Sequence, residues 1–248
     1  MDAAIPIPLR VTDPAVLLAL REGELEVLGR LPGSSNQALV VLVHHPDLGE
    51  PFHAVYKATL AERPLFDFPI GTLARREVAA FLASEVTGWG IVPPTVLRDG
   101  PYGIGMVQQW VHGDASVDLV ALVVGDDPRL RRMAVFDAIV NNTDRKGGHV
   151  VPMPDGHLFG VDHGVTFSVE PKLRTVLWGW IGEVFDDDEL AGLERVREGL
   201  RGQLGTALLE LLDRDEVTAT KRRVASLLRF RRFPRPRNDW PATPWPPF

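Results

Sequence analysis

The sequence predicts an α+β protein of two lobes, a small β-rich N-terminal lobe with one main helix and a larger, mostly helical C-terminal lobe. Before residue 112, short apolar runs alternate with turn residues, and one longer segment has helical spacing. After residue 114, helical spacing dominates. The 248 residues are 45% hydrophobic, which suffices for two lobes around a cleft. We therefore expect lobes at 1–111 and 112–233 and a proline- and tryptophan-rich tail at 234–248.

Local signals predict the elements of the first lobe. Asp13 and Pro14 supply an N-cap residue and a proline at the first helical position, so a helix begins there and ends at Gly23. Apolar residues with helical spacing predict the main helix over 71–87, which Gly88 ends. Apolar, strand-like runs predict strands at 24–31, 38–44, 53–58, 95–98 and 105–111.

The second lobe begins after a hinge predicted at 112–114. An apolar helix precedes a polar loop at 141–149, and Asp186 with Glu189 fits a capping box that begins a later helix. The tail carries three aromatic residues, Trp240, Trp245 and Phe248. A disordered tail is poor in such rings, so we expect an extended tail whose rings pack back on the domain.

Composition and charge exclude several classes of protein. The absence of cysteine excludes disulfides, thiol catalysis and cysteine metal sites. The net charge of −6 argues against a specific nucleic-acid partner. The chain has neither an apolar run of membrane-span length nor the residue order of a signal peptide, so a cytoplasmic location is expected. Eight cations in 221–237 predict either contact with an anionic surface or a solvated helix face with salt bridges.

The segment 135–167 contains the strongest functional signal. Asp144 lies in the polar loop, and Asp162 follows a short predicted strand at 157–161. Kinase folds divide phosphoryl transfer between two such aspartates, because one orients the attacking hydroxyl and the other holds magnesium on the phosphates. A capped helix followed by a plain hairpin is the alternative. It explains the turn at 154–156 but not an aspartate and a glycine directly after a buried strand.

Upstream residues agree with a nucleotide site. Lys57 lies on a predicted strand, and Glu77 lies in the first turns of the next helix. In kinase folds such a lysine contacts the phosphates and the glutamate holds it in place. Both residues could instead be exposed, as charged residues usually are. Together with Asp144 and Asp162, they favour an ion pair in a cleft.

The turn at 32–36 supports two interpretations. Ser34, Ser35 and Asn36 could offer backbone and hydroxyl donors to phosphate oxygens. The same residue types are what an ordinary hairpin turn requires, and neither glycine-rich phosphate-binding fingerprint is present. The sequence leaves both open.

At these residues the chain resembles a group of kinases. The stretch NNTDRKGGH followed by VDHGVTF is similar to the NTDRGNDNW and IDNGLAF pattern of type II phosphatidylinositol 4-kinases. It is also similar to the NTDRH motif of HipA-like protein kinases, and it resembles an actinobacterial phosphatidylinositol 3-/4-kinase-like family. The resemblance covers roughly 28–180 and implies a two-lobed protein-kinase-like fold.

The resemblance also implies roles for individual residues. It places Asp144 and Arg145 in the catalytic motif, Asp162 on the metal, and Lys57 with Glu77 on the phosphates. The run Gln108-Gln109-Trp110-Val111 is similar to the QLFV hinge of the type II enzymes. That similarity implies an adenine site at Gln109, Trp110 and Val111.

One position departs from the family pattern. Those kinases carry a metal-binding asparagine five residues after the catalytic aspartate, and here His149 occupies that position. Hard cations prefer oxygen ligands, so one metal site is lost, or manganese is accepted, or the loop shifts. A non-catalytic pseudokinase that binds nucleotide and serves as an interaction module is therefore an alternative to an active enzyme.

The resulting expectation is an atypical kinase that uses ATP with Mg²⁺ or Mn²⁺. It would transfer the γ-phosphoryl group to a hydroxyl of a lipid headgroup or, as in HipA-like kinases, of a protein. The histidines of the segment could also suggest a metallohydrolase, but neither HxxxH nor HExxH spacing is present.

Overall fold

The sheet of the first lobe contains five antiparallel strands in the order β1-β2-β3-β5-β4. The computed structural model describes residues 13–31 and 37–248. The strands are β1 (Glu24–Arg30), β2 (Leu39–His44), β3 (Phe52–Ala58), β4 (Thr95–Gly100) and β5 (Gly103–Gln109). In the central β3–β5 pair, Lys57 lies opposite Met106. This register places Lys57 near the middle of the sheet.

Helix α1 (Pro14–Glu22) covers one face of this sheet. The Asp13 side chain caps it, as the sequence predicts, by accepting a hydrogen bond from Ala15 N at 2.9 Å. Tyr56 and its alternating neighbours on β3 point into the core beneath α1. Side chains alternate along a strand, so Lys57 lies on the opposite face, toward the second helix.

Helix α2 (Leu73–Thr87) packs between the sheet and the second lobe. The Glu62 carboxylate caps its N-terminus by accepting hydrogen bonds from Leu73 N at 3.1 Å and Ala74 N at 2.8 Å. Within α2, the buried Arg76 pairs with Glu216 at 2.6 Å and donates to Thr166 O at 2.7 Å. The helix that carries Glu77 is thus fixed from both lobes.

The second lobe is mainly helical. Its helices are α3 (Leu119–Val124), α4 (Pro128–Val140), α5 (Asp187–Arg201), α6 (Gln203–Leu211) and α7 (Arg214–Phe230). A two-stranded sheet joins β6 (Val150–Pro152) to β7 (Leu158–Gly160). Asn141 ends α4 in the left-handed conformation, with φ of 54°, which asparagine tolerates better than most residues. Asp186 and Glu189 form the predicted capping box at α5.

The predicted fold class is confirmed, with shifts at some boundaries. The last strand of the first lobe was predicted at 105–111 but spans Gly103–Gln109, because backbone pairing with β4 begins at Gly103 and the chain leaves the sheet after Gln109. The prediction that all three tail rings pack back is wrong for Trp245, which is 88% exposed. Within the described residues, no helix has the length and apolarity needed to cross a membrane.

Candidate active site

A lysine bridge forms the centre of the candidate site. The Lys57 ammonium donates hydrogen bonds to Glu77 Oε1 at 2.7 Å and to Asp162 Oδ1 at 2.8 Å. The second oxygen of Glu77 accepts a hydrogen bond from His163 N at 2.8 Å, and the Glu77 side chain is buried. Strand β3, helix α2 and the segment after β7 therefore meet at one ammonium group.

The electrostatics of this cluster favour its charged form. Burial lowers the pKa of Lys57, but the two adjacent carboxylates outweigh burial and leave that pKa above its ordinary value. The Lys57 ammonium holds the pKa of Asp162 well below its ordinary value. Burial raises the pKa of Glu77, against the effect of Lys57. With two carboxylates around one ammonium, the cluster keeps a negative charge that a divalent cation can compensate.

The bridge lines a cavity of about 390 Å³ that also contains Asp144. The described residues that line it run from Lys57 to Val165 and include Arg63 and Leu65 from the segment before α2. Four of the residues predicted from the sequence, Lys57, Glu77, Asp144 and Asp162, are thus brought to one concave site.

Several groups hold Asp144 within its loop. Its backbone N–H donates to Asn142 Oδ1 at 3.0 Å. One carboxylate oxygen contacts an Arg174 guanidinium nitrogen at 3.1 Å, and the other lies 3.3 Å from Lys146 Nζ. Arg174 also donates to Thr143 O at 2.7 Å. The Asp144 carboxylate is therefore fixed between two cations while remaining partly exposed.

Arg145 lies beneath the loop and is fully buried. Its guanidinium forms a bidentate ion pair with the buried Asp137 of α4 and donates to Val161 O at 3.1 Å. It also donates to His163 Nε2 at 2.6 Å. Burial and this guanidinium hold the pKa of His163 well below its ordinary value. The structure places Arg145 outside the cavity, where it joins α4, the loop and the segment carrying Asp162.

His149 lies beside Asp162 but is not among the described residues that line the cavity. Its Nε2 lies 3.6 Å from Asp162 Oδ2, and its Nδ1 accepts a hydrogen bond from Lys146 N at 3.5 Å. Burial lowers the pKa of His149, so the ring is neutral near pH 7. The described residues contain no cluster of three or more histidine or acidic ligands. With Nδ1 accepting the hydrogen bond from Lys146 N, Nε2 of the neutral ring carries the proton and points toward Asp162, so a cation at Nε2 requires the other tautomer and the loss of the Lys146 contact. In that tautomer the donor set is a carboxylate and an imidazole, and the ion takes its other ligands from phosphate and water.

The predicted adenine-binding residues lie at a second cavity. Gln109, Trp110 and Val111 line a space of about 380 Å³ together with Val92 and Phe159. The backbone N–H groups of Gln109 and Trp110 donate to Pro94 O and His53 O, both at 2.9 Å. The structure does not place these three residues in the cavity that contains Lys57.

The structure bears differently on two further predictions, phosphate contacts from the turn at 32–36 and the role of the basic stretch 221–237. Ser34, Ser35 and Asn36 lie outside the described residues, so their contact with phosphate stays a prediction.

In the basic stretch 221–237, Arg223 is turned inward and donates to Ile139 O at 3.1 Å and Ser168 O at 3.0 Å. Burial lowers the pKa of Arg223 to about 10. Arg237 pairs with Asp239, so at least two of the eight cations are engaged within the chain.

Sequence reasoning missed Asp137, Lys146 and Arg174. Asp137 had a usable signal, because it is an isolated acid within an apolar helix, and such a residue requires a buried partner. Lys146 and Arg174 had no comparable signal, since cations are common in exposed loops. Only the fold brings Arg174 next to Asp144.

Comparisons with known proteins place the chain among kinase-like folds. Hydra Fam20 with sugar superposes with a TM-score of 0.58 at 13% identity, over 92% of each chain. The Golgi casein kinase with Mn/ADP bound gives a TM-score of 0.58 at 14% identity, over 87% of this chain and 74% of that one. The Helicobacter pylori proinflammatory kinase CtkA gives 0.52 at 10% identity, over 86% and 94%. At such identities the likeness shows the fold alone.

Sequence comparisons assign the chain to a family, whereas the structural comparisons show only its fold. No protein-family model matches the chain. Phosphatidylinositol 4-kinase gamma 4 of Oryza sativa subsp. japonica is 25% identical over 45% of this chain and 23% of that protein, so the specific relation to phosphatidylinositol kinases or HipA-like kinases stays a prediction. Protein Rv2133c of Mycobacterium tuberculosis is 43% identical over 99% of both chains. The chain has a kinase-like fold and belongs to the family of Protein Rv2133c.

Proposed function

We propose that this protein is a phosphotransferase that binds ATP with a divalent metal and transfers the γ-phosphoryl group to a hydroxyl acceptor. The observation that carries the proposal is the position of Lys57 Nζ, 2.7 Å from Glu77 Oε1 and 2.8 Å from Asp162 Oδ1, in the cavity that contains Asp144. Kinase folds use these residue types in this arrangement to hold phosphates, bind metal and orient the acceptor.

The nucleotide would contact both cavities. Adenine would lie at Gln109, Trp110 and Val111. Within the described chain, the Val111 N–H makes no hydrogen bond, whereas those of Gln109 and Trp110 belong to the sheet edge, so Val111 offers a donor to the adenine ring. The phosphates would lie at Lys57, whose ammonium Glu77 fixes. Ser34, Ser35 and Asn36 are proposed as further phosphate contacts.

Asp162 and His149 would hold the divalent ion. A bound Mg²⁺ or Mn²⁺ would compensate the negative charge of the phosphates. Asp162 fits this role because it lines the cavity with Lys57 holding its Oδ1, while its Oδ2 lies 3.6 Å from His149 Nε2. The Golgi casein kinase, whose structure contains Mn/ADP, supports this assignment by its fold.

Asp144 would orient the acceptor hydroxyl and take up its proton. Arg174 and Lys146 hold its carboxylate in a fixed direction, which lowers the entropic cost of aligning the acceptor. Arg145 would act as a positioning residue, because it is buried beneath the loop. We propose a phosphoinositide headgroup as the first acceptor to test, supported by the motif similarity and by the partial match to the rice enzyme, and a protein hydroxyl as the second.

A second candidate is a nucleotide-binding pseudokinase that serves as an interaction module. Two observations favour it: a histidine replaces the metal-binding asparagine, and cations engage both oxygens of Asp144. Both candidates require nucleotide binding, so they differ only in turnover.

The test is a titration followed by an assay of γ-phosphate loss. Titration calorimetry with ADP and with ATP, each with Mg²⁺ or Mn²⁺, measures binding. Radiolabelled ATP with phosphoinositide vesicles, and separately with a generic protein substrate, then measures transfer. Transfer supports the enzyme, and binding without γ-phosphate loss supports the pseudokinase. No binding at millimolar nucleotide contradicts both.

A further inference from the structure

The end of the chain packs against the loop that carries Asp144. We call residues 144–149 the catalytic loop and residues 240–248 the tail segment. Gly147 N donates a hydrogen bond to Pro247 O at 2.7 Å. The Phe248 ring lies directly on Gly147, so closely that a Cβ at position 147 would overlap the ring. Only glycine therefore fits at the centre of the loop while the ring is in place.

A second contact links the tail segment to the loop indirectly. Ala242 O accepts hydrogen bonds from Thr175 N at 3.0 Å and from Trp178 Nε1 at 2.8 Å. Thr175 forms a parallel bridge with Arg145, in which Arg145 N donates to Arg174 O at 3.0 Å and Val176 N donates to Arg145 O at 3.0 Å. The tail segment thus holds both the loop and the strand-like stretch beside it.

The tail segment supports the loop from outside the cavity. The described residues that line the cavity run from Lys57 to Val165, so no residue of the tail segment lines it. Asp144 lies at one end of the loop and His149 at the other, with Gly147-Gly148 between them. Two adjacent glycines have wide conformational freedom, and the contacts of Pro247 and Phe248 restrict it.

We propose that Phe248 is a positioning residue for phosphoryl transfer, acting through Gly147 on the catalytic loop. The inference rests on the proposed function of the site. Transfer requires the oxygen atoms of Asp144 to be aligned with the acceptor, and a misplacement of about 1 Å can cost about 100-fold in rate. Nucleotide binding would instead depend mainly on Lys57, Glu77 and residues 109–111, and none of the described hydrogen bonds joins the tail segment to these residues.

The first test separates turnover from binding. Phe248→Ala should lower kcat by about 10- to 100-fold and leave the Kd for ADP with Mn²⁺ within about twofold of the wild type. Phe248→Leu, which keeps an apolar side chain on Gly147, should recover most of the rate. Phe230→Ala removes a ring that is 64% exposed at the end of α7, and it should change neither quantity.

The second test is a double-mutant cycle. Gly147→Ala should lower kcat, because the added methyl group displaces the Phe248 ring. Gly147→Ala combined with Phe248→Ala should be no slower than Phe248→Ala alone, since the ring is then absent. Gly179→Ala is the control, because a Cβ at that exposed position meets no atom within 4 Å. Additive losses in the double variant would contradict the proposed contact.

The third test needs no turnover. Hydrogen–deuterium exchange of residues 145–149 should be faster in Phe248→Ala than in the wild type, with and without nucleotide. Two outcomes would overturn the positioning role of Phe248 while leaving the proposed function in place. One is unchanged exchange in the loop of Phe248→Ala, and the other is an unchanged kcat in Phe248→Ala while the wild type is active. Absence of transfer by the wild type would instead contradict the proposed function, even where the exchange result shows that the tail segment orders the loop.

Discussion

Arg145 and Asp137 form a fully buried bidentate ion pair beneath the catalytic loop, with nitrogen–oxygen distances of 2.9 to 3.2 Å. The pair joins helix α4 to the residue that directly follows Asp144. A buried pair of this kind adds little net stability compared with apolar residues, but the loss of one partner leaves an uncompensated charge. The position of the catalytic loop therefore depends on this pair.

Removal of the Asp137 charge should destabilise the protein strongly. We expect Asp137→Asn to lower the free energy of unfolding by about 3 to 5 kcal/mol, because Arg145 stays buried without a counter-charge. Urea denaturation measures the change. Glu198→Gln, which affects an exposed pair with Arg201, is the control and should change stability by less than about 0.5 kcal/mol. A loss below about 1 kcal/mol in Asp137→Asn would show that the pair is not essential.

Replacement of Lys57 should abolish most of the nucleotide affinity. Lys57→Met removes the ammonium that would contact the phosphates and leaves the buried Glu77 without its cation. We expect the Kd for ADP with Mn²⁺ to rise more than about tenfold, equivalent to about 1.4 kcal/mol. Titration calorimetry measures this, with Lys221→Met on α7 as the control. Equal affinity in wild type and Lys57→Met would place the phosphates elsewhere.

The metal preference should depend on His149. Imidazole suits Mn²⁺ better than Mg²⁺, so transfer, autophosphorylation included, should be faster with Mn²⁺. His149→Asn supplies an amide oxygen in its place and should raise the Mg²⁺-supported rate. The ratio of the two rates, measured for both proteins, tests this. An unchanged ratio would mean that His149 packs the loop without contacting the metal.

Tyr56 should make stability depend on pH in the alkaline range. Its hydroxyl is buried and donates a hydrogen bond to Gly103 O at 2.5 Å, and burial raises its pKa above the ordinary value of 10.0. Above about pH 10 the unfolded chain loses this proton while the folded protein keeps it, so ionisation favours unfolding. We expect Tyr56→Phe to be less stable than the wild type by about 1 kcal/mol at pH 7.

That difference should shrink as the pH rises above 10, because Tyr56→Phe lacks the ionisable group. Parallel urea titrations of both proteins from pH 7 to about pH 11 follow it. A difference that stays constant or widens over this range would mean that the Tyr56 pKa is not raised by folding.

The parts of the site that follow local patterns could be predicted from the sequence, and the parts that depend on packing could not. Asp144 and Asp162 could be predicted because each follows an apolar segment, and Lys57 with Glu77 because a lysine on a predicted strand is followed by a glutamate in the first turns of the next helix. The contact of Arg174 with Asp144 depends on how a later segment crosses the loop. Likewise, the composition of the tail predicted packed rings, but only the fold shows which ring meets a glycine.

The location of the predicted adenine-binding residues shows a similar limit. Gln109, Trp110 and Val111 do lie where strand β5 ends, as the pattern indicates. Their cavity includes residues from α1 and from the loop after α2, which no spacing rule relates to them. Sequence patterns thus indicated the end of a strand but not the shape of the space beside it.

In the proposed mechanism, Asp144 acts on the acceptor and Asp162 acts on the metal and nucleotide. Asp162→Asn should weaken metal-dependent nucleotide binding, since it removes a charged ligand. Asp144→Asn should leave binding intact, since this residue contributes only when the acceptor attacks.

The most direct measurement is the rate of γ-phosphoryl transfer by Asp144→Asn, with its ADP affinity determined on the same sample. We predict an affinity within about twofold of the wild type and a rate lower by about 10²- to 10⁴-fold. Full phosphotransfer by Asp144→Asn would contradict it.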